Sequence, residues 1–149
     1  MQKCTLALGC FWKPEENFKN KPGITETEVG YAGGDDSVVT YEEICAGNTN
    51  HAEVVRLTFD EQIISYEKIL DLFFKMHDPT QKNMQYPDVG TQYRSEIFYE
   101  TEKQKISAIK IKSLLNNKYK NKIETNISKI KNYCKAEEYH QRYIEKNRR

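Results

Sequence analysis

The chain has 149 residues, a formal net charge of +1 and four cysteines, a length suited to one domain with its own core. No run of 18 apolar residues occurs, so no transmembrane helix is expected. Cys4, Cys10, Cys45 and Cys134 form no C-x-x-C pair, which argues against structural zinc and favours reduced thiols over a secreted disulfide framework.

Residues 3–8 read as a buried strand ending at Gly9. It begins so soon after Met1 that no signal peptide is expected, and a cytoplasmic enzyme is the default. Residues 14–20 read as a short helix. Pro14 suits its first position, Glu15 and Glu16 suit the positive end of its dipole, and Lys21-Pro22-Gly23 stop it. Residues 24–31 alternate like a strand. Residues 51–59 form another, with Glu53, Val55, Leu57 and Phe59 on one face and Ala52, Val54, Arg56 and Thr58 on the other.

In residues 65–77, Tyr66, Ile69, Leu70, Phe73 and His77 recur at helical spacing behind Ser65, a suitable N-cap. Residues 78–93 form a polar loop with Pro79, Pro87 and Gly90; ordered loops of that length are often functional. Residues 94–99 read as a strand. Thr101-x-x-Gln104 has the pattern of a capping box opening a helix to about residue 118, with Ala108, Ile111 and Leu115 inward. Residues 122–127 read as the last core strand and 136–146 as a final helix or turn. The order β-α-β-β-α-β predicts an α+β domain over residues 1–149. Its expected form is a ferredoxin-like split β-α-β sandwich, a mixed sheet flanked by helices with long active-site loops.

Charge is uneven along the chain. Residues 1–100 carry 9 Lys/Arg against 17 Asp/Glu, a net of −8, and residues 101–149 carry 14 against 5, a net of +9. A basic third can serve a nucleic acid, but interleaved Ile and Leu favour the solvated faces of helices.

Cys10 stands between an apolar run and a helix start, where free backbone N–H groups are expected to lower its pKa. Phe11 and Trp12, the chain's single tryptophan, make an aromatic wall for a small apolar or sulfur-bearing group. The plainer alternative is a buried core cysteine. Glu53 shares a face with apolar residues; poor hydration there favours the protonated carboxyl, as a general acid near neutral pH requires. Its alternative is an exposed strand start paired with Arg56 or a lysine. His51 leaves open a Cys–His hydrolase or acyl transferase acting through Cys10. Otherwise His51, His77 and His140 read as strand-entry, helix-end and buried hydrogen-bonding histidines.

Six segments occur in order: GCFW at Gly9–Trp12, GYAGG at Gly30–Gly34, TYEEICAGNTNHAEVVRLTFD at Thr40–Asp60, HDPTQ at His77–Gln81, DVGTQYRSEIFY at Asp88–Tyr99 and AEEYHQRYIEKN at Ala136–Asn147. Together they resemble the A-type peptide methionine sulfoxide reductases over nearly the whole chain. The resemblance implies an α+β fold and reduction of the S epimer of methionine sulfoxide, free or in peptides and proteins. It implies that Cys10 attacks the sulfoxide sulfur and becomes a sulfenic acid. Glu53 then falls on the catalytic glutamate, Tyr41 and Tyr93 on the tyrosines that bind the sulfoxide oxygen, and Asp88 on an aspartate that orders polar groups or water. Phe11 and Trp12 fall on the methyl pocket. No metal or organic cofactor, nucleic acid or membrane is implied, and a monomer is expected.

Lys13-Pro14 replaces a frequent glycine of the family, and Asn50 replaces another before His-Ala-Glu, where asparagine tolerates a left-handed backbone. The sequence ends at Lys146-Asn147-Arg148-Arg149, where many relatives continue into a glycine- and cysteine-rich tail. Its cysteines convert the sulfenic acid to a disulfide that thioredoxin reduces. Three recycling routes are therefore open: Cys134 as resolving thiol, the better internal candidate; Cys45; or direct reduction by thioredoxin, glutaredoxin or glutathione, with dithiothreitol serving in vitro. Cys4 is expected in the core. Some relatives without a resolving cysteine carry selenocysteine as nucleophile.

Overall fold

Val55, Leu57 and Phe59 are fully buried, and the strand that carries them organises the sheet. The structure, a computed structural model, describes residues 1–147; Arg148 and Arg149, part of the chain end discussed above, lie outside the described residues. The elements are β1 (Gln2–Leu8), α1 (Trp12–Lys19), β2 (Ile24–Ala32), α2 (Tyr41–Ala46), β3 (Ala52–Phe59), α3 (Tyr66–Met76), β4 (Met84–Gln85), β5 (Asp88–Val89), β6 (Ser95–Tyr99), α4 (Glu102–Asn116), β7 (Asn126–Lys129), β8 (Cys134–Lys135) and α5 (Tyr143–Lys146). Short 3₁₀ turns cover Thr91–Tyr93 and Glu138–His140.

The main sheet runs β7-β6-β1-β3-β2-β8. Its pairs are antiparallel except β6 with β7, which is parallel. The sheet is therefore mixed, and helices flank it in an α+β arrangement.

Alternation along β3 sorts its side chains as expected. Val55, Leu57 and Phe59 join Cys4, Leu6, Tyr31 and Ile97 under Phe18 of α1 and Ile69, Leu70 and Phe73 of α3. Ala52 and Val54 point the other way, into a smaller cluster with Ala7, Ala32 and Phe98, against which Ile130 and Tyr133 pack. Each fully buried aliphatic side chain contributes roughly 1.5–3 kcal/mol.

Several elements form as their sequences require. The Ser65 hydroxyl accepts from the Lys68 N–H at 3.0 Å and opens α3. Asn50 adopts a left-handed φ of 61°. The Thr101 hydroxyl accepts from the Gln104 N–H at 3.2 Å. The Gln104 carbonyl does not complete that box on Thr101; it accepts from the Glu100 N–H at 2.9 Å, while its amide donates to Lys3 O of β1.

Three expectations are corrected and one helix is added. Helix α1 starts at Trp12, so Pro14 is its third residue; its missing N–H still costs nothing, because first-turn N–H groups lack intrahelical acceptors. Residues 41–46 form a helix that hydrophobic periodicity did not reveal; its signal was the box Thr40-x-x-Glu43, and both halves are made. The last strand is Asn126–Lys129 and not 122–127. It lies at the sheet's edge, while Ile123 and Thr125 are buried in the irregular run before it. The 78–93 loop contains the small hairpin β4–β5.

Leu57→Ala should lower stability by about 2–5 kcal/mol, whereas Ile106→Ala, at a position 62% exposed on α4, should stay within about 0.5 kcal/mol. Urea midpoints at unchanged m-value would check both.

Candidate active site

Gly9 turns the chain from β1 into α1 at φ +95°, and a Cβ there would lie 3.0 Å from the Gln85 side chain. A residue with no side chain meets both demands. The turn delivers Cys10, Phe11 and Trp12 in succession to the end of the sheet where β3 begins. Phe11 is buried, at 1% exposure, and its backbone N–H donates to Glu53 Oε1 at 3.2 Å.

Glu53 is 2% exposed and lies opposite Tyr31 in the β2–β3 ladder. Burial pushes its carboxyl up to about 8; the Phe11 N–H pulls it down and the nearby Asp88 charge raises it further. The alternative of a solvated pair with Arg56 is excluded, because that guanidinium forks onto Glu100, with Nη2 to Oε1 at 2.7 Å and Nε to Oε2 at 3.3 Å.

The expectation of a lowered Cys10 pKa is corrected. Burial pushes the thiol up to about 11. The Trp12 N–H opposes this, and the Glu53 and Asp88 charges add to it. A helix start lowers a thiol pKa where the sulfur stays solvated, and here burial outweighs the single Trp12 N–H.

Tyr41 opens α2. Burial raises its phenol and a hydrogen bond with the Cys45 side chain raises it further, with Glu53 and Tyr93 also felt. Burial pushes Tyr93 up to about 12, assisted by Glu53, Asp88, Cys45 and Cys10. Cys10, Glu53, Asp88, Tyr41 and Tyr93 thus share one electrostatic environment, although they come from α2, β3, β5, a 3₁₀ turn and the β1–α1 turn. Cys45 borders it and is exposed; Cys134 is half-buried, its Sγ 3.7 Å from Val39 O; Cys4 is in the core.

The aromatic wall is built by the C-terminal segment. The Trp12 indole donates from Nε1 to His140 Nδ1 at 3.0 Å and stacks on Tyr143 at 3.8 Å and 10°. The His140 ring lies 5.2 Å from Phe11 and 4.5 Å from Tyr41. His51 contacts the carbonyls of Thr49 and Asn132, and His77 bonds Phe73 O and Ser95 Oγ. The ring nitrogens of these two histidines are therefore occupied by other groups, which removes the geometric support for a catalyst built on Cys10 and His51.

Two carboxylates have roles the sequence did not reveal. Glu15, expected on the helix dipole, is 1% exposed and accepts from Thr27 Oγ1 and the Arg142 N–H, both at 2.7 Å. Glu137 accepts from the Tyr31 hydroxyl and the Tyr41 N–H, both at 2.8 Å. Their partners lie far along the chain, so no local pattern marks them.

A family model described as peptide methionine sulfoxide reductase matches residues 2–149. The chain belongs to that family. It is 58% identical over 146 residues to the peptide methionine sulfoxide reductase MsrA of Pelagibacter ubique, covering 98% of this chain and 99% of that protein. Its fold superposes on Mxr1 from Saccharomyces cerevisiae in reduced form with a TM-score of 0.94 at 41% identity, over 98% of this chain and 85% of the yeast chain. Mxr1 in complex with Trx2 matches with a TM-score of 0.69 at 28% identity, over 95% and 84% of the two chains. Among the described residues, no helix is long and apolar enough to cross a membrane, and no group of His, Cys, Asp and Glu could hold a metal ion.

Because the native state raises the Glu53 pKa from 4.5 to about 8, it holds this proton more tightly than the unfolded chain does. The stabilisation linked to it is complete below pH 4.5 and is lost as pH rises through about 8. Glu53→Gln should therefore gain stability relative to the parent between pH 5 and pH 9, as read from denaturant midpoints. The same substitution removes a charge facing Cys10, so the pH midpoint of Cys10 alkylation, followed by site-resolved mass spectrometry, should fall below about 11.

Proposed function

We propose that this enzyme reduces methionine-S-sulfoxide, free or in peptides and proteins, with Cys10 as nucleophile and Glu53 as acid. The observation that carries this reading is a buried Glu53 carboxyl, its pKa pushed up to about 8, that accepts from the residue next to Cys10. A thiol alone suits many reactions. A thiol beside a neutral carboxylic acid, phenols and an aromatic wall suits a substrate whose oxygen must be protonated while its sulfur is attacked.

In this mechanism the sulfoxide oxygen is held by the hydroxyls of Tyr41 and Tyr93, and its methyl group lies against Phe11 and Trp12. Glu53 gives its proton to the oxygen as Cys10 attacks the sulfur and forms an S–S bond, and the thiol proton passes to the Glu53 carboxylate so left. The hydroxyl then moves to Cys10: the Cys10 S–O bond forms, the S–S and substrate S–O bonds break, methionine leaves and Cys10 is a sulfenic acid. Two thiol equivalents then restore Cys10 and carry the oxygen away as water. Asp88 raises the Glu53 pKa and so helps to keep the acid loaded. A fixed arrangement of thiol, acid and methyl wall presents one sulfur configuration productively, which accounts for selectivity for the S epimer.

For recycling we infer an external thiol of the thioredoxin or glutaredoxin type, supported by the complex of the related Mxr1 with Trx2. Of the internal thiols, the exposure of Cys45 and its bond to Tyr41 favour it over Cys134, which leans on Val39 O. The free cysteines support a reducing, cytoplasmic setting, and the strand order β6-β1-β3-β2 with antiparallel neighbours supports a single catalytic domain of ferredoxin-like, split β-α-β plan.

The test is turnover of separated S and R epimers of N-blocked methionine sulfoxide with dithiothreitol. Consumption of S alone is expected, abolished in Cys10→Ser and reduced by about 10²–10⁴ in Glu53→Gln. The parent rate should fall as pH rises through about 8, where Glu53 loses its proton. Failure to consume either epimer would sink the reading. Mass spectrometry after one turnover should find Cys10 unbridged; a Cys10–Cys45 or Cys10–Cys134 disulfide would overturn the direct external route.

A further inference from the structure

Glu137 lies in the closing segment, outside the set of residues that meet the substrate in the mechanism above. Its two oxygens go to different parts of the site. Oε1 accepts from the hydroxyl of Tyr31 and Oε2 from the backbone N–H of Tyr41, both at 2.8 Å. Tyr31 is completely buried, with its ring 5.7 Å from that of Phe11, and it faces Glu53 across the β2–β3 ladder. Tyr41 is the first residue of α2.

Helix α2 needs such a tie. It has six residues, of which only Ile44 is buried, and a helix this short is not stable without tertiary contacts. Its capping box is internal: Thr40 and Glu43 bond each other and do not anchor the helix to the sheet. The carboxylate of Glu137 does so, at the residue whose phenol matters. It is also held in its charged form. Burial pushes its pKa up, but bonds from the Tyr41 N–H, its own N–H and the Tyr31 hydroxyl outweigh burial and hold it below the usual carboxylate range.

We propose that Glu137 is a positioning residue: by fixing the Tyr41 backbone from one oxygen and the Tyr31 phenol from the other, it holds the Tyr41 hydroxyl in register with Cys10 and Glu53. The proposal rests on the reading of Tyr41 as a donor to the sulfoxide oxygen. An amide at position 137 keeps the shape but strips the charge from both bonds, and with one acceptor oxygen in place of two it can hold the Tyr41 N–H only if the Tyr31 hydroxyl turns to accept from the amide NH2.

Two phenols address the same oxygen, so a displaced Tyr41 is best seen when Tyr93 cannot compensate. The experiment measures methionine released in a single turnover of N-blocked methionine-S-sulfoxide by four chains: Tyr93→Phe, and Tyr93→Phe combined with Glu137→Gln, with Tyr41→Phe, or with both. Glu137→Gln should lower the rate about tenfold in the Tyr93→Phe chain, the size of one well-oriented hydrogen bond, and should lower it no further once Tyr41 is phenylalanine. An equal loss with and without the Tyr41 hydroxyl would show an effect on folding alone and overturn the proposal, as would no loss in the Tyr93→Phe chain. If Tyr41→Phe itself changes nothing in that background, the underlying assignment of Tyr41 fails, which is a distinguishable result. Should Glu137→Gln not fold, ¹⁵N NMR of the parent chain decides. The Tyr41 amide shift should follow a carboxylate titrating below the usual range, and an amide shift indifferent to acid would overturn the proposal.

Discussion

The hydrogen bond from the Phe11 N–H to Glu53 joins the two halves of the site, and the burial of that carboxyl sets the conditions for both. Glu53 occupies a position on β3 whose strand neighbours on the same face, Val55 and Leu57, are fully buried. A charged carboxylate with a single backbone donor is poorly stabilised there. The group stays protonated through neutral pH, and its neighbourhood keeps the Cys10 thiol protonated as well. Such a site does not hold a standing thiolate for any passing electrophile. In the proposed mechanism the thiol is activated when a substrate oxygen takes the Glu53 proton, which would couple acid and nucleophile through the substrate.

The rest of the fold anchors the segments that surround that pair. The main sheet would end at β2 but for the two-residue β8, and the closing segment continues its edge by side-chain chemistry. The Gln141 amide accepts from the Val29 N–H at 2.9 Å and donates to Val29 O at 2.8 Å, as a neighbouring strand would. Glu15 holds the Arg142 N–H, and Glu137 holds Tyr31 and Tyr41. These bonds carry His140 and Tyr143 to the Trp12 indole. On the other side, the chain His77–Ser95–Thr125, with oxygen and nitrogen contacts of 2.7 Å, fixes the base of the 78–93 loop that supplies Asp88 and Tyr93. Apart from β3, the elements that carry the proposed site residues are short or irregular, and buried polar side chains supply the rigidity that regular pairing would otherwise give.

Local patterns were sufficient where one period or one turn decides the outcome. Alternation assigned the two faces of β3, helical spacing and Ser65 assigned α3, and the run into Gly9 placed Cys10 at a strand end. The resemblance of six ordered segments brought Cys10, Glu53, Tyr41, Tyr93 and Asp88 together as one group, and the structure gives them a common environment. The short helix α2 was missed because six residues are too few for periodicity, although its capping box was present. The edge strand β7 was displaced because parallel pairing with β6, a non-local interaction, fixes its register.

The sequence by itself determined which residue types stand at the strand-to-helix turn, which β3 residues share a face, and where the chain must turn, since these depend on neighbours a few positions away. The tertiary structure alone decided the Cys10 pKa, because burial outweighs the Trp12 N–H of the helix start, and Glu53 and Asp88, reaching it from other strands, add to the rise. It alone decided the partners of Glu15, Gln141 and Glu137, whose bonds span as many as 127 residues of chain. A buried carboxylate takes its meaning from the donors that folding brings to it, and those donors carry no mark in the sequence around it.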